Sequence, residues 1–226
     1  MNDSSRMTLD DPDQDETLPE VNRPELDRPD GDLTDERPVK LAGFMLIGGF
    51  IALIASATLV IEKMNLLADP TYVPSCSFNP VLSCGSVMVT PQASAFGFAN
   101  PILGVAGFAA VMMVGAAILA GGRLRPWFWI GTQLGVTFGA VFIGWLQYQS
   151  IAVIGALCPY CMVVWAVMIP LFIFTTARNL KAWGRHRNSD ALDLAGDMAW
   201  PALVAWVLVL VIAIGFRFWT YWSTLL

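Results

Sequence analysis

The sequence predicts an all-α integral membrane protein with five membrane-spanning helices. Apolar residues make up 56% of the chain and charged residues only 14%, far from the balance of a soluble globular domain. Five apolar stretches reach the roughly 20 residues that a helix needs to cross a hydrocarbon core of about 30 Å. Lys and Arg are concentrated in alternate connections between these stretches, as expected for a chain that crosses a membrane repeatedly.

The first 38 residues differ in composition from the rest of the chain. Thirteen of the eighteen Asp and Glu residues precede Pro38, and the segment almost lacks aromatic and β-branched residues. Because it cannot bury enough apolar surface to offset the entropy of ordering, residues 1–38 are predicted to form a disordered acidic tail. The segment also lacks the basic start, apolar middle and small-residue cleavage site that follow one another in a secretory signal. The membrane domain is therefore predicted to cover residues 39–226.

The five predicted spans follow one another with connections of unequal length. The third span has Gly131, Gly135 and Gly139 at four-residue spacing, which favours close packing against a neighbouring helix. Aromatic residues at both ends of the last span are predicted to be interfacial anchors. The predicted spans are residues 41–61, 101–120, 127–148, 158–176 and 201–222.

Positive charge predicts the orientation of the spans. If five spans alternate, one side of the membrane receives most of the cations, and that side should be the cytoplasm. The N-terminus is then cytoplasmic, the C-terminus is extracytoplasmic, and the 62–100 and 149–157 connections are both exported. The 62–100 connection carries the first cysteine pair, and the 149–157 connection leads directly to the second, in a compartment where disulfides persist. The cytoplasmic cations are Arg37, Lys40, Arg123, Arg125, Arg178, Lys181, Arg185 and Arg187.

The second cysteine pair forms a CxxC motif with proline after the first cysteine. Pro159 suits the first helical position, so Cys158 is predicted to be a helix N-cap. Both sulfurs, of Cys158 and Cys161, would then lie at the positive end of the helix dipole, which favours thiolate. A zinc site would need four ligands. The other two would have to be Cys76 and Cys84, whose spacing is uncommon for zinc, so no metal is predicted. Haem attachment needs a CxxCH motif, and Met162 occupies the histidine position, so attached haem is excluded.

The first cysteine pair, Cys76 and Cys84, lies in a loop rich in chain-breaking residues. Such a loop can contact a soluble partner protein and then the membrane-embedded cysteine pair. Thiol–disulfide exchange between the two pairs would pass through a mixed disulfide. The sequence has no dinucleotide fingerprint, haem pattern or cluster-binding cysteine array. A lipid-soluble quinone is therefore the predicted electron acceptor.

Two alternatives to this redox relay remain open. The cysteines could form purely structural disulfides that staple an exported loop. The chain could then be a non-catalytic polytopic protein, such as a transporter or an assembly subunit. Transport paths usually hold ionisable residues inside the spans, and the five predicted spans contain none away from their ends. A four-span thiol oxidase with the same task carries its CxxC in the first exported loop, the reverse of the order here.

These residues resemble the vitamin K epoxide reductase family in its bacterial form. The resemblance covers about residues 41–176 and rests on a first span, a Cys-x7-Cys loop and a CxxC that opens the fourth span. It implies a four-helix bundle around a quinone, with a fifth span added. It also implies that Cys76 meets a partner protein, that Cys84 exchanges with Cys158, and that Cys161 faces the quinone.

The resemblance further implies three residues near the quinone. Thr90 and Asn100 match positions that hydrogen-bond the two ring oxygens, and Trp165 stands one turn after Cys161, where animal enzymes typically carry tyrosine. Anticoagulant sensitivity is therefore not carried over. Without the resemblance, Thr90 would be a surface residue and Asn100 a helix cap.

The resemblance also implies a cellular role. Many bacterial relatives continue into a thioredoxin-like domain, whereas this chain ends at Leu226, so the expected partner is a separate, soluble DsbA-type thiol oxidase outside the cytoplasm. The expected setting is the bacterial inner membrane, with menaquinone or ubiquinone as acceptor and no nucleic acid among the partners.

Overall fold

The computed structural model describes residues 38–223, so the predicted acidic tail, apart from Pro38, lies outside the described residues. All regular elements within that range are helical, which confirms the predicted all-α class. A single parallel β-bridge joins two loops. The α-helices are α1 (Val39–Ala68), α2 (Cys84–Met88), α3 (Pro101–Leu119), α4 (Pro126–Tyr148), α5 (Pro159–Arg187), α6 (Asp190–Asp197), α7 (Ala199–Arg217) and α8 (Trp219–Trp222).

Among residues 38–223, five helices are long and apolar enough to cross a membrane, as predicted. They are α1, α3, α5, α7 and a 29-residue unit, Pro126–Ile154, in which α4 continues through a π-helical turn. Gly155 ends that turn in the left-handed region at φ 70°, a conformation that suits glycine. The chain thus reaches the second cysteine pair directly from the end of a span.

Several helices extend beyond the predicted spans, because hydropathy does not show where a helix continues into polar sequence. The first helix runs to Ala68, so Glu62 and Lys63 are helical rather than part of the loop. The fourth span continues to Arg187 and ends where Asn188 adopts a left-handed conformation. The last span ends earlier than predicted, at Arg217.

The closest helix packing is between α1 and α3, through glycines that the sequence analysis did not single out. A Cβ on Gly115 would lie 2.7 Å from the backbone oxygen of Ala42, and one on Gly104 would lie 2.5 Å from Ser56 Oγ. The predicted packing face of the third span is wrong for Gly131 and Gly135, where a Cβ would meet no described atom within 4 Å. These two glycines border a cavity instead.

The fifth span lies at the edge of the described bundle. None of the residues of α7 is buried, and the helix packs on α5 and on the π-helical turn. Arg217 Nε donates a hydrogen bond to the backbone oxygen of Ile151 at 3.1 Å. This bond joins the end of α7 to the connection that carries the CxxC motif.

Candidate functional site

A short backbone bridge holds the two cysteine-bearing loops together. Ser83 N–H donates to the backbone oxygen of Leu157 at 2.9 Å, and Leu157 N–H donates to that of Val81 at 2.7 Å. Ser83 and Leu157 each directly precede a cysteine, Cys84 and Cys158. The main chain itself therefore sets the two sulfurs side by side.

Side chains in the first loop shape its approach to the bridge. Asn79 Oδ1 accepts hydrogen bonds from the N–H groups of Val81 and Leu82, which is the pattern of an Asx turn. Ser83 then acts as the N-cap of α2, and its Oγ accepts from Ser86 N–H. Cys84 is thereby fixed as the first residue of a short helix.

Three of the four cysteine sulfurs form a compact, buried cluster. Cys76 and Cys84 are joined in a disulfide, and Cys158 and Cys161 are thiols. The Sγ atoms of Cys84 and Cys158 lie 3.1 Å apart, and the sulfurs of Cys76, Cys84 and Cys158 all lie within 4.8 Å of one another. The side chain of Leu59 helps to enclose the cluster. A thiolate on Cys158 is thus placed to attack the disulfide at Cys84.

Cys158 lies at the N-terminus of α5, as the position of Pro159 predicted. Cys158 is the N-cap, and its Sγ accepts a hydrogen bond from Cys161 N–H at 3.4 Å. Hydrogen bonding from the Cys161 side chain, and from the backbone of Cys161 and Tyr160, lowers the pKa of Cys158 despite its burial. The hydrogen bonds at the start of α5 therefore favour the thiolate form of Cys158.

A cavity of about 690 Å³ lies beside the inner cysteine pair, between α1, α3, α4 and α5. Its size falls within the roughly 300–1,000 Å³ typical of small-molecule sites, and its lining is mostly apolar. Five residues proposed from the sequence border this cavity, whereas Cys76 and Cys84 do not. The five are Thr90, Asn100, Cys158, Cys161 and Trp165.

Thr90 and Asn100 hold the loop that covers one end of the cavity. Thr90 Oγ1 donates to the backbone oxygen of Val87 at 2.7 Å. Asn100 Nδ2 donates to the backbone oxygen of Gln92 at 2.7 Å, and Asn100 Oδ1 accepts from Ala95 N–H at 3.0 Å. Asn100 stands at the N-cap position of α3 without a side-chain cap. One amide hydrogen of this buried side chain is not used by these bonds.

Glu62 is a buried residue whose role the sequence analysis missed, since it was expected near the surface. Only 6% of it is exposed. Its carboxylate accepts hydrogen bonds from Tyr72 OH at 2.8 Å and from both the hydroxyl and the N–H of Ser75. Ser75 precedes Cys76, so Glu62 holds the segment that leads to the outer disulfide. A carboxylate in the last turns of an apolar helix was the available signal.

Replacing Glu62 with alanine is expected to expose the outer disulfide. Tyr72 and Ser75 would lose their shared acceptor, and the loop before Cys76 would loosen. We expect a water-soluble phosphine to reduce the Cys76–Cys84 disulfide several times faster, measured by thiol labelling. Asp69→Ala is the matched control, because this exposed carboxylate bonds only Thr71 within its own turn. Equal reduction rates in the two variants would contradict the role of Glu62.

Comparison with known proteins places more than half of the chain in one family. A sequence model of the vitamin K epoxide reductase family matches residues 44–176. The matched range begins within α1, ends within α5, and includes all four cysteines and the cavity-lining residues named above. No curated protein matches the chain.

Proposed function

Because the chain belongs to the vitamin K epoxide reductase family, we propose that it is a membrane thiol:quinone oxidoreductase. It would reoxidise an extracytoplasmic, soluble thioredoxin-like protein of the DsbA type and reduce a quinone, thereby supporting disulfide bond formation. The observation that carries this proposal is the 3.1 Å separation between Cys84 Sγ and Cys158 Sγ. It links a disulfide to a dithiol that borders a quinone-sized cavity.

The proposed cycle begins with the outer disulfide. A thiolate of the partner attacks Cys76, and the second partner thiol resolves the mixed disulfide, which leaves Cys76 and Cys84 reduced. Cys84 then attacks Cys158 in the inner disulfide and releases Cys161, and Cys76 attacks Cys84 to reform the outer disulfide. A Cys76–Cys84 disulfide beside thiols at Cys158 and Cys161 supports this step of the cycle. Oxidation of that dithiol by the quinone gives quinol and completes the cycle.

Access to Cys76 requires a movement of the loop. Cys76 is only 2% exposed, so a protein partner cannot reach its sulfur in this state. The segment held by Glu62 lies directly before Cys76 in the chain. We propose that partner docking displaces this segment.

The cavity suits a quinone in both shape and chemistry. Cys161 and Trp165 border it together, so a ring bound there would lie near the inner thiols. The unused amide hydrogen of Asn100 can donate to one ring oxygen. Thr90 can do the same for the other if its hydroxyl turns away from Val87. Menaquinone and ubiquinone both fit this description.

The glycine face of α4 provides room for the prenyl tail, and Gly135→Leu should fill part of it. A Cβ at Gly135 enters open space beside the cavity, so the side chain need not disturb the fold. We expect the KM for quinone to rise about tenfold, which corresponds to about 1.4 kcal/mol, with little change in Tm. Gly144→Leu is the matched control, since it also enters open space on α4 but away from the cavity. A similar KM in both variants would contradict this location for the tail.

The direct test of the function is anaerobic mixing of the purified protein with a dithiol donor and short-chain quinones. Loss of quinone absorbance that depends on the protein is expected. If no quinone is reduced with any donor, the protein is better explained as a polytopic membrane protein with structural disulfides.

The proposal includes a topology in the bacterial cytoplasmic membrane. The distribution of Lys and Arg supports a cytoplasmic N-terminus, an extracytoplasmic C-terminus and cysteines outside the cytoplasm. Labelling of intact cells with a membrane-impermeant thiol reagent should modify at least Cys76, once reduction of its disulfide frees the loop. Protection of all four until the membrane is broken would contradict the topology.

A further inference from the structure

Lys63 is the only residue with a formal charge among the described residues that line the cavity. An ammonium beside an almost wholly apolar space is costly, and such groups are usually functional. Reduction of a quinone consumes two protons, and the thiolate form of Cys158 leaves the inner pair with only one. On the basis of the proposed function, we infer that Lys63 donates the second proton to the quinone oxygen.

The position of Lys63 brings its ammonium near the predicted ring-binding residues. Lys63 Nζ donates to the backbone oxygen of Met88 at 2.7 Å, two residues before Thr90. An ammonium has three hydrogens, and this bond uses one. Lys63, Met88, Thr90 and Cys161 all border the same cavity. A quinone oxygen near Thr90 would therefore lie within reach of a flexible, positively charged donor.

The neighbouring acid does not compete for this proton. The carboxylate of Glu62 is held by Tyr72 and Ser75, and Glu62 does not line the cavity. Lys63 itself is partly exposed, so its amine can recover a proton from water after each turnover. Lys63 therefore contacts both the cavity, where it would give a proton, and the solvent, from which it would take one.

The proposed step balances in atoms and charge. Cys158 as thiolate and Cys161 as thiol become a disulfide, which releases two electrons and one proton. Lys63 supplies the other proton and becomes a neutral amine. The quinone receives two electrons and two protons and leaves as quinol.

The competing explanation is structural, because the bond from Lys63 to Met88 also anchors the end of α2, the helix that starts with Cys84. Two variants separate the explanations. Lys63→Gln can keep a hydrogen bond to Met88 but has no proton to transfer. Lys63→Arg keeps both the bond and the positive charge, but a guanidinium does not release its proton.

Two rates are measured for each variant. The first is the single-turnover rate at which the pre-reduced protein converts a short-chain quinone, followed by absorbance. The second is thiol-disulfide exchange with a reduced thioredoxin-like protein in the absence of quinone, followed by thiol alkylation. We expect both variants to lose about a hundredfold or more in the first rate and to keep the second within about twofold.

The two rates distinguish proton donation by Lys63 from a purely structural role. A wild-type rate of quinone reduction in Lys63→Gln, or in Lys63→Arg, would overturn proton donation. So would an equal slowing of both rates, which would show that Lys63 acts by anchoring α2. If the wild-type protein itself reduces no quinone, the proposed function fails first, which is a distinct result.

Discussion

Replacing Cys161 with alanine is expected to abolish quinone reduction and to trap a disulfide between Cys84 and Cys158. Cys158 would still attack the outer disulfide at Cys84, 3.1 Å away, and release Cys76. Without Cys161 the inner disulfide cannot form, so the Cys84–Cys158 bond can only revert through attack by Cys76, and the inner pair cannot pass two electrons to the cavity. Peptide mass spectrometry without reduction should detect the new crosslink, and quinone absorbance should stay constant.

Met162→Ala provides the control for this experiment. Met162 follows Cys161 on α5 but does not line the cavity, so its loss should leave quinone reduction largely intact. Cys158→Ala should be as inactive as Cys161→Ala, but without the crosslink. Quinone reduction that survives in both cysteine variants would remove the redox assignment.

Cys76→Ala is expected to uncouple the chain from the proposed thioredoxin-like partner. Activity driven by a reduced thioredoxin-like protein should fall by about a thousandfold or more, because the sulfur that the partner attacks is gone. Activity driven by a small dithiol should fall much less, since such a donor can approach the inner pair through the cavity that Cys158 and Cys161 border. Quinone absorbance with each donor measures the two effects.

Ser77→Ala tests whether the loop alone explains the result. Ser77 Oγ accepts a hydrogen bond from Gly85 N–H, so this change loosens the same loop but keeps all four sulfurs. We expect a modest loss with both donors. If Cys76→Ala lost activity equally with the protein and the small dithiol, the assigned role of Cys76 would be wrong.

Features fixed by local chemistry were predictable from the sequence. The five spans follow from apolar length, and the N-cap at Cys158 follows from Pro159 after a CxxC cysteine. Of the cavity residues, Thr90, Asn100 and Trp165 came from the family resemblance, whereas Cys158 and Cys161 came from the CxxC motif. The roles of these residues remain predictions.

Features that depend on long-range packing were not predictable. A glycine stripe has the same sequence whether it faces a helix or a cavity, and Gly131 and Gly135 face the cavity. Hydropathy placed Glu62 and Lys63 near the surface, because it does not show that α1 continues past them. Their environment depends on Ser75 and Met88, which only the folded loop brings near.

The backbone bridge between Ser83 and Leu157 has a consequence for how this protein can vary. Main-chain atoms make both bonds, so the number of residues between each bridge point and its cysteine is fixed. The two side chains have separate tasks, since Ser83 caps α2 and Leu157 is buried in the core. Inserting one residue before either Cys84 or Cys158 would turn a sulfur away from its counterpart. The relay should therefore be especially sensitive to changes of chain length at these two points.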